Sequence, residues 1–134
     1  MHLRIVCPES CAFEGDCAFV ALPGTTGEFG VAPLHASEVS TLKPGFVRIS
    51  DEAMGTVDHV FAVGEGYAQV AEDAIIVLVE RAQDVASVDR AEVERQQRVF
   101  EDQLSNCAPE DAHRAYIYNE VAWCKLLLSY EKRS

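Results

Sequence analysis

The sequence predicts a β-sandwich domain over residues 1–84 followed by a C-terminal antiparallel α-helical hairpin over 85–134, an α+β chain of two domains. Two observations predict this. Up to about Arg81, short apolar runs recur between turn-forming residues, the pattern of successive strands. From Ser87 onward the apolar residues fall at three- and four-residue steps, the pattern of helices. A chain of 134 residues has room for one ordinary core with a small helical element appended, and not for two full-sized domains.

"HLRIVC" alternates polar and apolar residues with period two, "CAFVAL" is a short apolar run, and "GFVRIS" alternates again after Lys43-Pro44-Gly45. "HVFAVGEGYAQVAEDAIIVLVE" holds three β-rich runs. Its breaks at Gly64-Glu65-Gly66 and Glu72-Asp73 read as two successive hairpins. Regular short strands at this spacing give a sandwich or a flattened barrel with Val, Phe, Ile and Leu inside. Between the early strands lies "PGTTGEFGVAPLHAS", residues 23–37, whose glycines are expected to supply positive φ in tight turns and a bulge.

Ser87 is the expected N-cap of the first helix, with Asp89 in its first turn. "VDRAEVERQQRVFEDQLS" then runs without glycine or proline. Val93, Phe100 and Leu104, with Val88 and Val99 at the margins, form a thin stripe, so one face packs and the rest stays wet. Pro109, Glu110 and Asp111 suit the start of the second helix, in which His113 would lie. Its apolar positions are Ala112, Ala115, Tyr116, Ala122, Trp123, Leu126, Leu127 and Tyr130, interrupted by Asn119. Two helices of this length bury little between themselves and need another surface.

The net charge of −11 and a pI near 4.6 argue against nucleic acid as a partner, since phosphate neutralisation needs clustered Lys and Arg. No stretch approaches the roughly 20 apolar residues that span a bilayer, and "MHLRIVCP" lacks the features of a secretion signal. Five cysteines, Cys7, Cys11, Cys17, Cys107 and Cys124, without CxxC spacing, suggest reduced thiols in a cytosolic compartment.

Residues 23–37 do not form a phosphate loop: after Gly24, Gly27 and Gly30 comes Val31-Ala32-Pro33, with no Lys before Lys43 and no helix signature. His35 as a general base lacks an evident nucleophile around it and reads as a structural or interface histidine. His2, His59 and His113 look equally isolated. A zinc set of Cys7, Cys11, Cys17 and His35 matches no familiar ligand spacing, so no metal is expected. "DRAEVERQQR" reads as a solvated helical face. The alternative gives Arg90, Arg95, Arg98 and Arg114, with the late Lys125, Lys132 and Arg133, an acidic partner to meet.

The stretches "PESCAFEGDCAFVALPGTTGEFGVAPLHAS", "TLKPGFVRI" and "FAVGEGYAQVAEDAIIVLVERA", in that order and followed by two helices, resemble the epsilon subunit of the F-type ATP synthase. The resemblance implies a sandwich of about ten strands and a mobile helical hairpin in the rotor's central stalk, with no catalysis and no cofactor of its own. It implies docking to the gamma subunit and to the c-ring, with Glu28, Phe29, Gly30, Val31, Pro33 and His35 near that junction. It further implies that the helices can extend toward the alpha and beta subunits and suppress ATP hydrolysis, the basic residues named above facing acidic loops there. The implied location is peripheral, on the cytoplasmic face of the bacterial inner membrane.

Two departures from the family pattern bear on this. The family usually has glycine before the histidine and proline two positions after it, where this chain has Leu34 and Ser37, which predicts a different loop conformation. Members that bind ATP do so through Ile-Asp-x-x-Arg-Ala. Here Ala86 and Ser87 precede the matching Arg90 and Ala91, leaving Arg90 as the sole candidate nucleotide contact. The reading from a different class is a small β-sandwich binding or sensing module with a dimerising hairpin, and an enzyme centred on His35 comes third.

Overall fold

The computed structural model describes residues 1–130. The chain divides into two compact units, Met1–Ala86 and a second from Ser87 onward. The first contains ten strands: β1 (His2–Cys7), β2 (Ser10–Asp16), β3 (Phe19–Gly24), β4 (Gly27–Val31), β5 (Glu38–Leu42), β6 (Gly45–Ser50), β7 (His59–Val63), β8 (Gly66–Ala71), β9 (Ala74–Val79) and β10 (Ala82–Asp84). A short 3₁₀ turn, Val85–Ser87, follows. The helices are α1 (Arg90–Ser105) and α2 (Arg114–Ser129). No helix among the described residues is long and apolar enough to cross a membrane.

The strands run in the order β10-β7-β6-β3-β5-β8-β9-β1-β2, with β4 paired to β3. β3 joins the two halves of this sheet. Phe19–Ala21 pair with β6, while Gly24 meets Leu42 of β5. All pairings are antiparallel except β1 with β9, which is parallel and sets Leu3 beside Ile75 and Ile5 beside Val77. Period-two alternation turns Leu3 and Ile5, Val47 and Ile49, and Ile75, Val77 and Val79 inward. With Val20, Leu22, Val31, Phe61 and Val63 they form one core. In β9 the intervening Ile76 and Leu78 stay half-exposed.

Only one of the two expected hairpins in residues 59–80 forms. β8 and β9 pair through the Glu72-Asp73 turn, but β7 pairs with β6 and β10 and not with β8. Gly64-Glu65-Gly66 is instead a crossing between the two halves of the sheet, and its glycines are there for space. A Cβ on Gly66 would lie 1.9 Å from the Leu78 carbonyl oxygen, and one on Gly64 would lie 2.5 Å from the Glu80 side chain. The register shift, and with it the bulge, lies elsewhere than among the glycines of residues 23–37: β2 carries the extra residue Ala12 opposite the Ile5–Val6 step of β1.

Both helix starts also differ from expectation. Asp89, not Ser87, caps α1, its carboxylate accepting the Glu92 N–H at 3.2 Å, because the 3₁₀ turn occupies Ser87. Pro109, Glu110 and Asp111 precede α2 as turns. The Asp111 carboxylate accepts the His113 N–H at 2.9 Å and its carbonyl accepts the Arg114 N–H at 3.1 Å, so the helix begins only at Arg114, after Pro109, Glu110 and Asp111, and His113 is its N-cap. The buried face of α2 is Ile117, Val121, Cys124 and Leu127; Leu127 belongs to the expected stripe, but the rest differ in phase from Ala115, Tyr116 and Ala122. Tyr116 and Tyr118 are exposed. The two apolar stripes overlap in this helix, and the one led by Ile117 and Val121 is buried where α2 packs against α1.

Candidate functional site

The segment from Glu28 to His35 is strand before it is loop. β4 folds back on β3 with Gly24 opposite Gly27 and Val20 opposite Val31, and Thr25-Thr26 make the turn. Gly27 supplies positive φ there, at +139°. The turn is tied to β5: Thr25 N–H donates to the Thr41 carbonyl at 3.1 Å, and the two threonine hydroxyls lie 2.8 Å apart. Gly24 and Gly30 have ordinary φ and serve close packing. A Cβ on Gly30 would lie 2.4 Å from the Phe19 ring, and one on Gly24 would lie 2.9 Å from the Phe29 ring.

On this framework Glu28 is exposed and accepts from Arg48 Nη1 at 3.0 Å, with the Arg48 guanidinium 5.8 Å over the Phe46 ring. Phe29 is half-buried against the core. Val31, expected at the docking surface, is fully buried; strand alternation turns it inward, so it supports that surface from beneath. Pro33 is exposed. Leu34 has φ of +70°, the left-handed region, and is 93% exposed. Leucine in the glycine position of the pattern therefore sits in the backbone conformation that favours glycine.

His35 closes this loop. Its N–H donates to the Ala32 carbonyl at 3.1 Å, its Nδ1 donates to the Ala36 carbonyl at 2.8 Å, and Nε2 lies 3.7 Å from Glu38. A carbonyl and a carboxylate offer it nothing to activate as a nucleophile. The other histidines are less isolated than they look in the sequence. His2 lies between Glu14 and Asp16, at 2.8 and 3.3 Å. The hydrogen bond to Glu14, and next that to Asp16, hold its pKa above the ordinary 6.5. His59 Nε2 is 3.0 Å from Asp51, and the His113 ring leans on Tyr116.

None of the five cysteines forms a disulfide among the described residues. Burial, first of all, pushes the Cys7 and Cys17 thiols up, so they stay protonated as small apolar groups. Cys7, Cys11, Cys17 and His35 do not converge: among the described residues no group of three or more His, Cys, Asp or Glu is placed to hold a metal.

The basic residues of the hairpin divide into two sets. Arg90 donates from Nη2 to the Leu128 carbonyl at 3.0 Å and from Nη1 to that of Tyr130 at 3.2 Å. Arg114 donates from Nη1 to the Leu104 and Cys107 carbonyls at 3.3 and 3.4 Å. Arg95 pairs with Glu92 one turn earlier. Arg98 and Lys125 point to solvent without a partner among the described residues, and Lys132 and Arg133 lie outside the described residues. Sequence reading missed the separate standing of Arg90 and Arg114. The signal was available: each stands at the first position of its helix, and in an antiparallel hairpin that position adjoins the other helix's C-terminus.

The family described as "ATP synthase, Delta/Epsilon chain, beta-sandwich domain" matches residues 1–85. A relative from Campylobacter fetus subsp. fetus, named ATP synthase epsilon chain, is 47% identical over 69% of this chain and 70% of its own. One of the same name from Rhodospirillum rubrum is 34% identical over 98% and 96%. Among solved structures, a chain in the Euglena gracilis mitochondrial ATP synthase (OSCP/F1/c-ring) superposes with a TM-score of 0.74 at 16% identity, covering 95% of this chain and 78% of that one.

Proposed function

The chain belongs to the ATP synthase epsilon chain family, and from that membership we propose that it is a non-catalytic rotor subunit of the central stalk. Its β-unit docks the gamma subunit to the c-ring, and its helical hairpin restrains ATP hydrolysis by reaching toward the alpha and beta subunits. The observation that carries this reading is the continuity of the match with full-length relatives through both the sandwich and the helices. The complex would hold the chain at the cytoplasmic face of a bacterial inner membrane.

The geometry supports the docking half of the reading. A joint that transmits torque should keep its shape under load, because ordering a loose loop at each contact would cost free energy. The β3–β4 turn is fixed at both ends, by glycine packing beneath and by threonine hydrogen bonds beside it. Glu28, Gly30, Pro33 and His35 form the presented surface, and Phe29, half-buried against the core, supports it with Val31. The hairpin half rests on a two-state element: a pair of helices with a narrow shared core can be held in one place and captured in another. Among the described residues, the exposed Arg98 and Lys125 are the cations without a partner that could meet acidic loops. A nucleotide phosphate at Arg90 would compete with the Leu128 and Tyr130 carbonyls for the same guanidinium.

Co-expression of this chain with its cognate gamma subunit, followed by purification through a tag on gamma, tests the reading. Stoichiometric co-elution, weakened by Glu28→Lys, is expected. Self-association of this chain with no retention on gamma would instead favour the dimerising-module reading.

A further inference from the structure

Neither helix has a basic residue in its own last turn. The C-terminal carbonyls of a helix carry a partial negative charge and lack intrahelical partners, so among the described residues neither helix end has a cation from its own last turn to accompany it. The missing cation comes from the other helix. Arg90 is the first residue of α1 and reaches the last carbonyls of α2, and Arg114 is the first residue of α2 and reaches the last carbonyls of α1.

An arginine at the first position is poorly placed for its own helix, because the positive end of the dipole repels it. That disadvantage disappears only when the two helices lie antiparallel and closed. Opening the hairpin therefore breaks the hydrogen bonds at both ends and also returns each guanidinium to the unfavourable end of its own helix. The apolar core between the helices is narrow, with Val93 the sole buried residue of α1 and Ile117, Val121, Cys124 and Leu127 those of α2. With so little burial, end effects weigh heavily in the balance.

We propose that Arg90 and Arg114 form a reciprocal latch that sets the equilibrium between the closed and the opened hairpin. The latch is a property of the hairpin itself; only its consequence for hydrolysis rests on the function proposed above. Any event that draws either guanidinium away, such as an acidic group on a partner, would release one end and favour opening.

The test is amide hydrogen exchange on the full-length chain, comparing the natural sequence with Arg90→Gln, Arg114→Gln, the double variant and Arg90→Lys. The two latches lie roughly 24 Å apart along a sixteen-residue helix, so their effects should multiply. Each single variant is expected to raise exchange of the hairpin amides roughly three- to tenfold. Arg90→Lys should fall between Arg90→Gln and the natural chain, since it keeps the charge and loses the two-pronged contact. In every variant the amides of Val77 and Ile49 in the β-unit should keep their protection.

The decisive comparison is at the far end. Arg90→Gln should also raise exchange at Leu104 and Ser105, the α1 end away from the substitution, because opening involves the whole hairpin. Loss confined to Leu127–Ser129 would show simple fraying and overturn the latch, as would unchanged exchange or an equal loss in the β-unit. If the hairpin amides respond as expected while hydrolysis by the assembled complex does not change, the latch stands and the regulatory reading fails.

Discussion

Leu34→Gly should stabilise the protein. A left-handed conformation costs a residue with a Cβ about 1–2 kcal/mol, and Leu34 bears that cost at φ of +70°. At 93% exposure its side chain contributes almost no burial that glycine would lose. Against the gain stands the greater freedom of glycine in the unfolded chain, about 0.4–1 kcal/mol. The net gain is therefore about 0.5–1 kcal/mol. For a unit the size of Met1–Ala86, with an unfolding entropy of about 2 cal/mol/K per residue, this raises Tm by roughly 3–6 °C. The assay is calorimetric or urea unfolding of the natural chain, Leu34→Gly, Leu34→Ala and Leu34→Asn. Leu34→Ala retains the Cβ and should gain nothing, and Leu34→Asn should fall between, since asparagine tolerates this region. If Leu34→Ala matched Leu34→Gly, the benefit would come from removing the exposed side chain and not from the backbone. Destabilisation by Leu34→Gly would refute the strain reasoning outright.

Gly66→Ala should cost more than about 3 kcal/mol in urea unfolding or prevent folding, because its Cβ would lie 1.9 Å from the Leu78 carbonyl oxygen, a backbone atom. Gly30→Ala meets the edge of the Phe19 ring, which can turn aside, and should cost about 1–3 kcal/mol. In an NMR titration His2 should have its midpoint above 6.5, and Glu14→Gln should bring it down. Because the folded-state value is raised, the stability this group contributes is fully present below 6.5 and is lost as pH rises through the folded midpoint. Val31→Ala should lower stability by about 1–3 kcal/mol as a core truncation. Glu28→Ala removes an exposed ion pair worth under about 1 kcal/mol and should instead weaken retention on gamma.

The sandwich and the two helices were legible because their signals are local. Alternation in "HLRIVC" and "GFVRIS" and the uninterrupted polar-apolar spacing after Val88 are properties of single segments. What the sequence hid was decided between segments. The parallel pairing of β1 with β9 joins residues more than seventy positions apart, and no spacing announces it. Gly64-Glu65-Gly66 looks like a hairpin turn because turn chemistry and close backbone approach both call for glycine. The phase of α2 was ambiguous because two apolar stripes share one helix. At the candidate surface, the resemblance directed attention to residues 28–35, but strand alternation determined that Val31 lies beneath and Glu28 above. The latch arginines were hidden for a further reason. "DRAEVERQQR" presents Arg90 as one of several surface cations, and only the antiparallel partner distinguishes it.

The proposed function makes this chain a stalk subunit whose helices act as a brake. The most direct measurement is ATP hydrolysis by the purified parent complex, reconstituted with the full chain or with a version ending at Ala86, with gamma retention verified for both. The truncation keeps β10 and the whole core of the first unit. Higher hydrolysis with the truncated chain, at equal retention, is the result predicted. Equal rates at equal retention would contradict the brake, and failure of the full chain to bind gamma would contradict the stalk assignment itself.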